Sequence, residues 1–347
     1  MKAPMLWDIF CRVIDNHGDI GVCWRLARDI VARGGQARLW VDDASALAWM
    51  APERPDRRHG VDIRPWPVSD VDVTPGDVVI EAFGCELPAS FVNRMAARRP
   101  APRWINLEYL SAEDYVERSH GLASPQCHGP GAGLSKHFFY PGFTPRTGGL
   151  LRETGVLERI EHFDGPAWLA ARGWAPEEGE RVVSLFAYAN AQLPALLASL
   201  AEQPTLVLAC PGPLQPLITA RPNLRSIALP YLPQDDYDRL LWACDLNFVR
   251  GEDSFVRAQW AGKPFVWHIY PQPEDDAHHA KLEAFMARAG LPEAWRAVWR
   301  GWNGLDALPA SLIGLDEAAT HAPAWRAQLT AQPDLLAQLQ GFVGAYG

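Results

Sequence analysis

The feature that most constrains the fold is the order of apolar and polar segments at the start of the chain. Residues 5–14 form a short apolar run, residues 15–21 a polar turn with two glycines, and residues 22–33 a helical pattern. After Gly34 and Gly35, residues 37–41 form a second apolar run. Strand, loop, helix and strand in this order make a βαβ unit, which normally builds a parallel sheet. We therefore predict an α/β protein.

The same alternation continues to residue 267. We predict strands at 77–83, 103–107, 181–186, 205–210, 226–229, 246–249 and 264–267, helices at 193–202, 237–243 and 255–261, and helical structure from Asp316 onward. Residues 122–154 are rich in Gly, Pro, Ser and His, and we expect a long loop or a domain boundary there.

The chain length and the two α/β patterns together predict two domains. The chain has 347 residues, which is about twice a typical domain. We expect two doubly wound domains facing a central cleft, at residues 1–165 and 166–325. A C-terminal helical segment, residues 326–347, is expected to pack back on the N-terminal domain.

Composition excludes several classes of function. With 48% hydrophobic and 21% charged residues, the chain can fill a core, so we exclude a disordered protein. Lys and Arg total 32 against 41 Asp and Glu, a net charge of −9, so no global attraction favours nucleic acid or an anionic membrane. Asp8 and Arg12 interrupt the first apolar run and Asp15 follows it directly, unlike a signal peptide, and no apolar run is long enough to span a bilayer. We expect a cytoplasmic protein.

The first polar loop, DNHGDIG at residues 15–21, follows a predicted strand and opens a helix. Its glycines, Gly18 and Gly21, permit tight turns and a close backbone approach. Asp15 and Asp19 fit a general base with an orienting partner, and they also fit a turn residue with a helix N-cap. The residues alone leave both interpretations open.

A second polar loop follows the apolar strand at residues 246–249 and starts another helix. Backbone N–H groups at the helix start suit a diphosphate, and Arg250 can add a charged contact. Glu252 and Asp253 would repel phosphate, so contact with ribose or sugar hydroxyl groups is their expected task. A capped helix with an incidental ion pair explains the same spacing.

Two further segments present aromatic side chains at predicted strand ends. Tyr231 and Gln234 lie in LPYLPQ (residues 229–234), where two prolines fix a loop suited to stacking on a nucleobase. Phe186 and Tyr188 follow the strand at residues 181–186. Packing alone also explains both segments.

Other chemistries lack their motifs. The first loop is not G-x-G-x-x-G, and no P-loop, G-x-S-x-G or Cys-x-x-Cys occurs. His268, His278 and His279 with Glu274, Asp275 and Asp276 invite a metal interpretation. We expect the rings of His278 and His279 to lie on different helix faces, which argues against shared ligation. We therefore predict no metal site.

Three segments together resemble a known family. They are DNHGDIGVCWRLAR at residues 15–28, LPYLPQ at 229–234 and RGEDSFVRAQWAGKPFVWHIYPQ at 250–272. They are similar to the EarP family of protein-arginine rhamnosyltransferases, which act on bacterial translation elongation factor P. The similarity runs from the N-terminus to beyond residue 272.

This resemblance implies a GT-B glycosyltransferase with two Rossmann-like domains. It implies inverting transfer of L-rhamnose from dTDP-β-L-rhamnose to an arginine of elongation factor P, without a metal or other cofactor. The residues that it implies are Asp19 as catalytic base, Asp15 as its companion, Asn16, Gly18 and Gly21 in the acceptor loop, Phe186, Tyr188, Tyr231 and Gln234 at thymine and ribose, and Arg250, Glu252, Asp253 and Ser254 at ribose, diphosphate and the catalytic centre.

Two alternatives remain at this stage. The chain could be a GT-B transferase with another nucleotide-sugar donor and another acceptor. It could also be a non-catalytic nucleotide-binding partner of a translation factor. Retention of Asp15, Asp19 and Glu252 argues against a pure binder, which has no need of carboxylates facing an anionic diphosphate.

Overall fold

The protein consists of two compact units. A computed structural model describes residues 4–13, 17–52, 60–66, 73–272 and 276–345. Unit 1 comprises Met1–Gly155 and Gln332–Gly347, and unit 2 comprises Val156–Ala331. The chain thus enters unit 2 after Gly155 rather than after residue 165, and returns to unit 1 after Ala331 rather than after residue 325.

The elements follow one another in the α/β order that the sequence indicates. In unit 1 they are β1 (Leu6–Cys11), α1 (Gly18–Ala32), β2 (Gln36–Val41), α2 (Leu47–Met50), β3 (Val61–Pro65), β4 (Val78–Ala82), α3 (Ala89–Ala97), β5 (Arg103–Leu107), α4 (Tyr115–Ser119), β6 (Ala123–Pro125) and β7 (Ser135–Phe139). In unit 2 they are α5 (Val156–Glu161), α6 (Gly165–Ala170), β8 (Arg181–Leu185), α7 (Leu193–Leu200), β9 (Thr205–Ala209), β10 (Leu224–Ala228), α8 (Gln234–Ala243), β11 (Leu246–Arg250), α9 (Glu252–Ala261), β12 (Phe265–His268), α10 (Ala277–Ala289), α11 (Glu293–Trp302) and α12 (Leu315–Thr330). The last helix, α13 (Leu335–Ala345), belongs to unit 1.

Each unit is built on a sheet in which the strand order reverses. Among the described residues, the sheet of unit 1 has the order β3-β2-β1-β4-β5-β7-β6, and only β6 pairs with its neighbour in antiparallel fashion. The sheet of unit 2 has the order β10-β9-β8-β11-β12 and is parallel throughout. In such doubly wound sheets ligands bind beyond the carboxyl ends of the strands near the reversal. The reversals lie between β1 and β4 and between β8 and β11.

The central strands are apolar because helices cover both faces of a parallel sheet. All five residues of β4 and of β9 are buried. Asp8 on β1 is an exception, fully buried but bonded to the guanidinium of Arg38 at 2.6 and 2.7 Å and to Trp40 Nε1 at 2.7 Å. This charge is tolerated because each of its oxygens has partners.

The C-terminal helix completes the core of unit 1. Leu335, Leu336, Leu339 and Val343 of α13 are buried in the same cluster as Trp7, Ile9 and the apolar face of α1. The helix therefore belongs to the hydrophobic core of unit 1 and is not a separate tail.

Most sequence-based predictions of strands and helices are confirmed, with ends shifted by a few residues. For residues 122–154, the expected domain boundary agrees with the division of the chain after Gly155, whereas the expected long loop is partly wrong, because β6 and β7 form an antiparallel edge pair there. Strand β7 is only half-buried over Ser135–Phe138, so its apolar pattern is weak. Among the described residues, no helix combines the length and apolar character required to cross a bilayer.

Candidate active site

The first polar loop of unit 1 leads directly into α1 and places Asp19 in its first turn. The helix begins at Gly18, and its N-cap residue is His17, so the N-cap alternative for Asp19 is wrong. Burial raises the pKa of Asp19 to about 6. The phenol O–H of Tyr109 donates to Asp19 Oδ2 at 3.4 Å and partly offsets that rise. Asp19 is therefore a carboxylate of unusually high basicity.

The other predicted residues of this loop are only partly described. Asp15 and Asn16 lie outside the described residues. Gly18 is already helical, and a Cβ at that position would meet no atom within 4 Å. A tight turn at Gly18 is therefore not what the structure shows. Gly21 lies within α1, and its N–H donates to the carbonyl oxygen of His17 at 3.1 Å.

A stacked aromatic pair lies beside Asp19, and the sequence analysis missed it. The rings of Phe83 and Tyr109 are 4.4 Å apart between centroids and inclined by only 16°. Phe83 directly follows β4 and Tyr109 closely follows β5, so the parallel pairing of these strands brings the two rings together. Phe83 has a φ of +55°, a left-handed conformation that a non-glycine residue rarely adopts. Strain of this kind clusters at functional sites.

Further carboxylates lie at this edge of unit 1. Glu81 of β4 is 2% exposed and accepts hydrogen bonds from Trp104 Nε1 at 3.0 Å and from Lys136 Nζ at 3.3 Å. Glu108 accepts a bond from Asn106 Nδ2 at 2.5 Å, and burial raises the pKa of its carboxyl group. With Asp19, these groups give the edge an acidic character suited to a cationic substrate.

In unit 2, Arg250 lies at the corresponding edge, as the last residue of β11. Its guanidinium lies 4.4 Å from the ring centroid of Phe186 and 4.7 Å from that of Tyr188, and its Nη1 donates to the carbonyl oxygen of Ala187 at 3.3 Å. Burial lowers the pKa of Arg250, although the group stays charged at neutral pH. The structure thus brings together three of the predicted donor-site residues.

The next residues form the start of α9. Gly251 has a φ of +69°, which favours glycine, and Glu252 and Asp253 are the first two residues of the helix. The hydroxyl of Ser254 donates to the carbonyl oxygen of Arg250. Because the first N–H groups of a helix lack partners within it, this helix start can bind an anion next to Arg250.

The LPYLPQ segment contributes to the same edge. Gln234 begins α8, is 5% exposed, and its Nε2 donates to Asp253 Oδ2 at 3.3 Å. Tyr231 is 59% exposed. The structure therefore joins Gln234 to the α9 loop and leaves the ring of Tyr231 accessible for stacking.

The histidine cluster differs from the expectation drawn from the sequence. The rings of His278 and His279 lie 3.9 Å apart between centroids, and His279 Nδ1 is 3.6 Å from Asp276 Oδ1. Candidate ligand atoms of these three residues lie within 4.8 Å of one another. The prediction that the two rings lie apart is wrong, because both residues occupy the first turn of α10 and their rings turn toward each other. Glu274 and Asp275 lie outside the described residues.

Two doubly wound units built on mainly parallel sheets are the fold of a GT-B glycosyltransferase. The fold is similar to that of spinosyn forosaminyltransferase SpnP, at 12% identity and a TM-score of 0.55, over 98% of this chain and 100% of that chain.

The sequence matches the elongation factor P (EF-P) rhamnosyltransferase family EarP over residues 7–344, and the chain belongs to that family. It is 48% identical to a protein-arginine rhamnosyltransferase of Pseudomonas putida, over 99% of both chains. It is also similar to a structure solved to show the basis of EarP-mediated arginine glycosylation of translation elongation factor EF-P. That match has 34% identity and a TM-score of 0.66, over 98% of this chain and 99% of that chain. The chain is therefore an enzyme, a protein-arginine rhamnosyltransferase.

Proposed function

We propose that the enzyme transfers L-rhamnose from dTDP-β-L-rhamnose to one arginine of translation elongation factor P, with inversion at the anomeric carbon. Family membership supports the reaction and the acceptor. The observation that carries the mechanism is the half-buried carboxylate of Asp19, with its raised pKa, at an acidic edge of unit 1. Because the acceptor is a translation factor, we also propose that the enzyme works in the cytoplasm.

The base must overcome the low nucleophilicity of arginine. The pKa of a guanidinium is above ~12, so full deprotonation at neutral pH would cost at least about 7 kcal/mol. A carboxyl group with a pKa of about 6 takes a proton more readily than an ordinary aspartate with a value of 3.8. This gain of roughly two units reduces the cost of proton transfer by about 3 kcal/mol. Asp19 accepts the proton as the C–N bond forms, and Asp15 orients the guanidinium.

The donor binds unit 2 through its nucleotide. Tyr231 and the pair Phe186 and Tyr188 offer aromatic faces for thymine, since bases stack on such rings. Gln234, held by Asp253, offers an amide to the base or the ribose. This arrangement supports a thymidine nucleotide bound at the carboxyl edge of the sheet, where doubly wound folds bind nucleotides.

The leaving diphosphate gains negative charge as the sugar departs. The helix start of α9 and the Arg250 guanidinium are the positive groups that stabilise it. Glu252 and Asp253 stand beside them, and we assign these carboxylates to hydroxyl groups of the sugar and ribose. Because cationic groups of the protein already serve the diphosphate, the proposed mechanism needs no metal ion.

Intact-mass spectrometry tests the proposal. The full-length enzyme is incubated with elongation factor P and dTDP-β-L-rhamnose, and the modified residue is mapped by fragmentation. We expect one added deoxyhexose on an arginine. The Asp19→Asn variant should bind dTDP normally and lose nearly all turnover.

Matched controls separate the parts of the proposal. Asp62→Asn changes an exposed aspartate of unit 1 that pairs with Arg64, and should leave turnover intact. A reaction that proceeds equally with UDP-rhamnose would refute the dTDP assignment. Near-normal turnover by Asp19→Asn would refute the role of Asp19 as base.

A further inference from the structure

His268 is the last residue of β12 and lies beside Arg250 in the sheet of unit 2. The two residues are Cα partners in the parallel register of β11 and β12. The imidazole is 6% exposed, and its ring centroid lies 5.4 Å from that of Tyr188 and 5.6 Å from that of Trp302. Arg250 and His268 thus both contact the ring of Tyr188, at the carboxyl edge where we place the donor.

One nitrogen of this buried ring has no hydrogen-bond partner in the part of the protein that the structure describes. His268 Nδ1 is shielded from solvent, and among the described residues it forms no hydrogen bond. Leaving such a group unsatisfied destabilises a folded protein. A buried polar atom without a partner, at the edge of a binding site, suggests that a ligand supplies the missing bond.

The electrostatics of the ring decide which ligand atom fits. Burial, aided by the positive charge of Arg250, lowers the pKa of His268 to about 4, so the ring is neutral at pH 7. A neutral imidazole carries its single proton on either nitrogen, so Nδ1 can be a donor or an acceptor. Phosphate oxygens of a nucleotide only accept, and they are the anions that Arg250 and the α9 helix start favour. A bound phosphate therefore favours the tautomer in which Nδ1 carries the proton.

We propose that His268 Nδ1–H donates a hydrogen bond to a phosphate oxygen of the nucleoside diphosphate and so positions the leaving group beside Arg250. This inference rests on the proposed donor, a nucleoside diphosphate sugar bound to unit 2. This hydrogen bond orients the phosphate without adding a second positive charge, since the imidazole remains neutral. The direction of this bond fixes the orientation of the diphosphate, whereas a base stacked on the ring of Phe186 or Tyr188 can still rotate over that ring.

Two substitutions separate this bond from packing. His268→Asn places an amide N–H close to the position of Nδ1, whereas His268→Leu fills similar space without a donor. A hydrogen bond to a charged group contributes about 1.5–3 kcal/mol, or roughly ten- to a hundredfold in affinity. We expect His268→Leu to weaken dTDP binding by that factor in calorimetry, and His268→Asn to restore most of it. His321→Leu, at a histidine of α12 in the same unit, should leave dTDP affinity unchanged.

Thymidine distinguishes a phosphate contact from a structural role, because it has the base and sugar but no phosphate. Saturation-transfer NMR with thymidine should give the same affinity for the wild type and both variants. If thymidine and dTDP weaken alike in His268→Leu, the residue only packs the site and the proposal is wrong. If both variants bind dTDP as the wild type does, Nδ1 has another partner, such as a trapped water, and the proposal is again wrong.

The titration of the ring gives an independent readout. In the described ranges, the charged and titratable groups that face His268 are Arg250 from β11 and Tyr188 from the loop after β8, while Trp302 of α11 carries no charge. A bound diphosphate favours the imidazolium, so dTDP should raise the pKa of His268 in NMR titrations. His268→Asn identifies the resonance, and an unchanged pKa would contradict the contact. Failure of the wild type to bind dTDP would instead refute the proposed donor.

Discussion

Replacing Asp19 with Asn should stabilise the protein at neutral pH while it removes activity. The pKa of this carboxyl group rises from 3.8 to about 6 on folding, chiefly through burial. Each pKa unit corresponds to about 1.36 kcal/mol, so the ionised form is roughly 3 kcal/mol less favourable in the folded than in the unfolded chain. Asn keeps the shape and can still accept the bond from Tyr109, but it carries no charge.

The pH dependence follows from the sign of the shift. Between about pH 4 and pH 6 the folded state binds more protons at Asp19 than the unfolded state does. The contribution of this group to the free energy of unfolding therefore falls as pH rises. The advantage of Asp19→Asn should therefore approach about 3 kcal/mol near pH 7.5 and fall to about half of that near pH 5. For a unit of this size, each kcal/mol raises Tm by roughly 2–4 °C.

Thermal and urea unfolding at several pH values test this prediction, with the transition of unit 1 followed separately. Asp62→Asn is the matched control, and an exposed substitution of that kind should change the free energy of unfolding by less than about 0.5 kcal/mol. A variant at position 19 that is less stable than the wild type at neutral pH would refute the reasoning. So would an advantage that does not change with pH.

Three further predictions concern other groups. Tyr109→Phe removes the O–H that lowers the pKa of Asp19, so the acid limb of the profile of kcat against pH should move to higher pH, by up to about one unit. Asp8→Asn leaves the guanidinium of Arg38 without its buried carboxylate. The free energy of unfolding in urea titrations should therefore fall by about 3–5 kcal/mol, and an unchanged value would contradict this. Asp238 and Arg257 form a buried pair at 2.8 Å, so either Asp238→Leu or Arg257→Met alone should destabilise by about 3–5 kcal/mol, and the double variant by less than either, as measured by a double-mutant cycle.

The sequence predicts the fold well where apolar runs coincide with buried strands. β1, β4, β9 and β11 are short, mainly apolar segments bounded by turn residues, which is typical of strands covered on both faces. Edge strands follow this rule less well. Most residues of β7 are only half-buried, so its sequence shows no clear apolar pattern. Its pairing with β6 depends on contacts between the two strands, which a local sequence pattern does not reveal.

The sequence identified more residues of the proposed donor edge than of the proposed acceptor edge. Phe186, Arg250 and Gln234 lie in local motifs whose composition already suggests stacking and anion binding. Tyr109 and Phe83 are separated in sequence, and only the pairing of β4 with β5 brings them to Asp19. His268 was considered only as a metal ligand, because its burial and its unsatisfied nitrogen emerge only in the folded unit.

The charges at the two edges fit the substrate that we propose for each unit. The edge of unit 1 bears Asp19, Glu81 and Glu108, and Lys136 compensates Glu81, so carboxylate character remains for a cationic arginine. Arg250 and the helix start of α9 give unit 2 the opposite preference. The raised pKa of Asp19 reduces stability at neutral pH, and an Asn would avoid that loss. The proposed catalytic role accounts for the charged group, because a carboxylate with a raised pKa accepts a proton more readily as the C–N bond to the guanidinium forms.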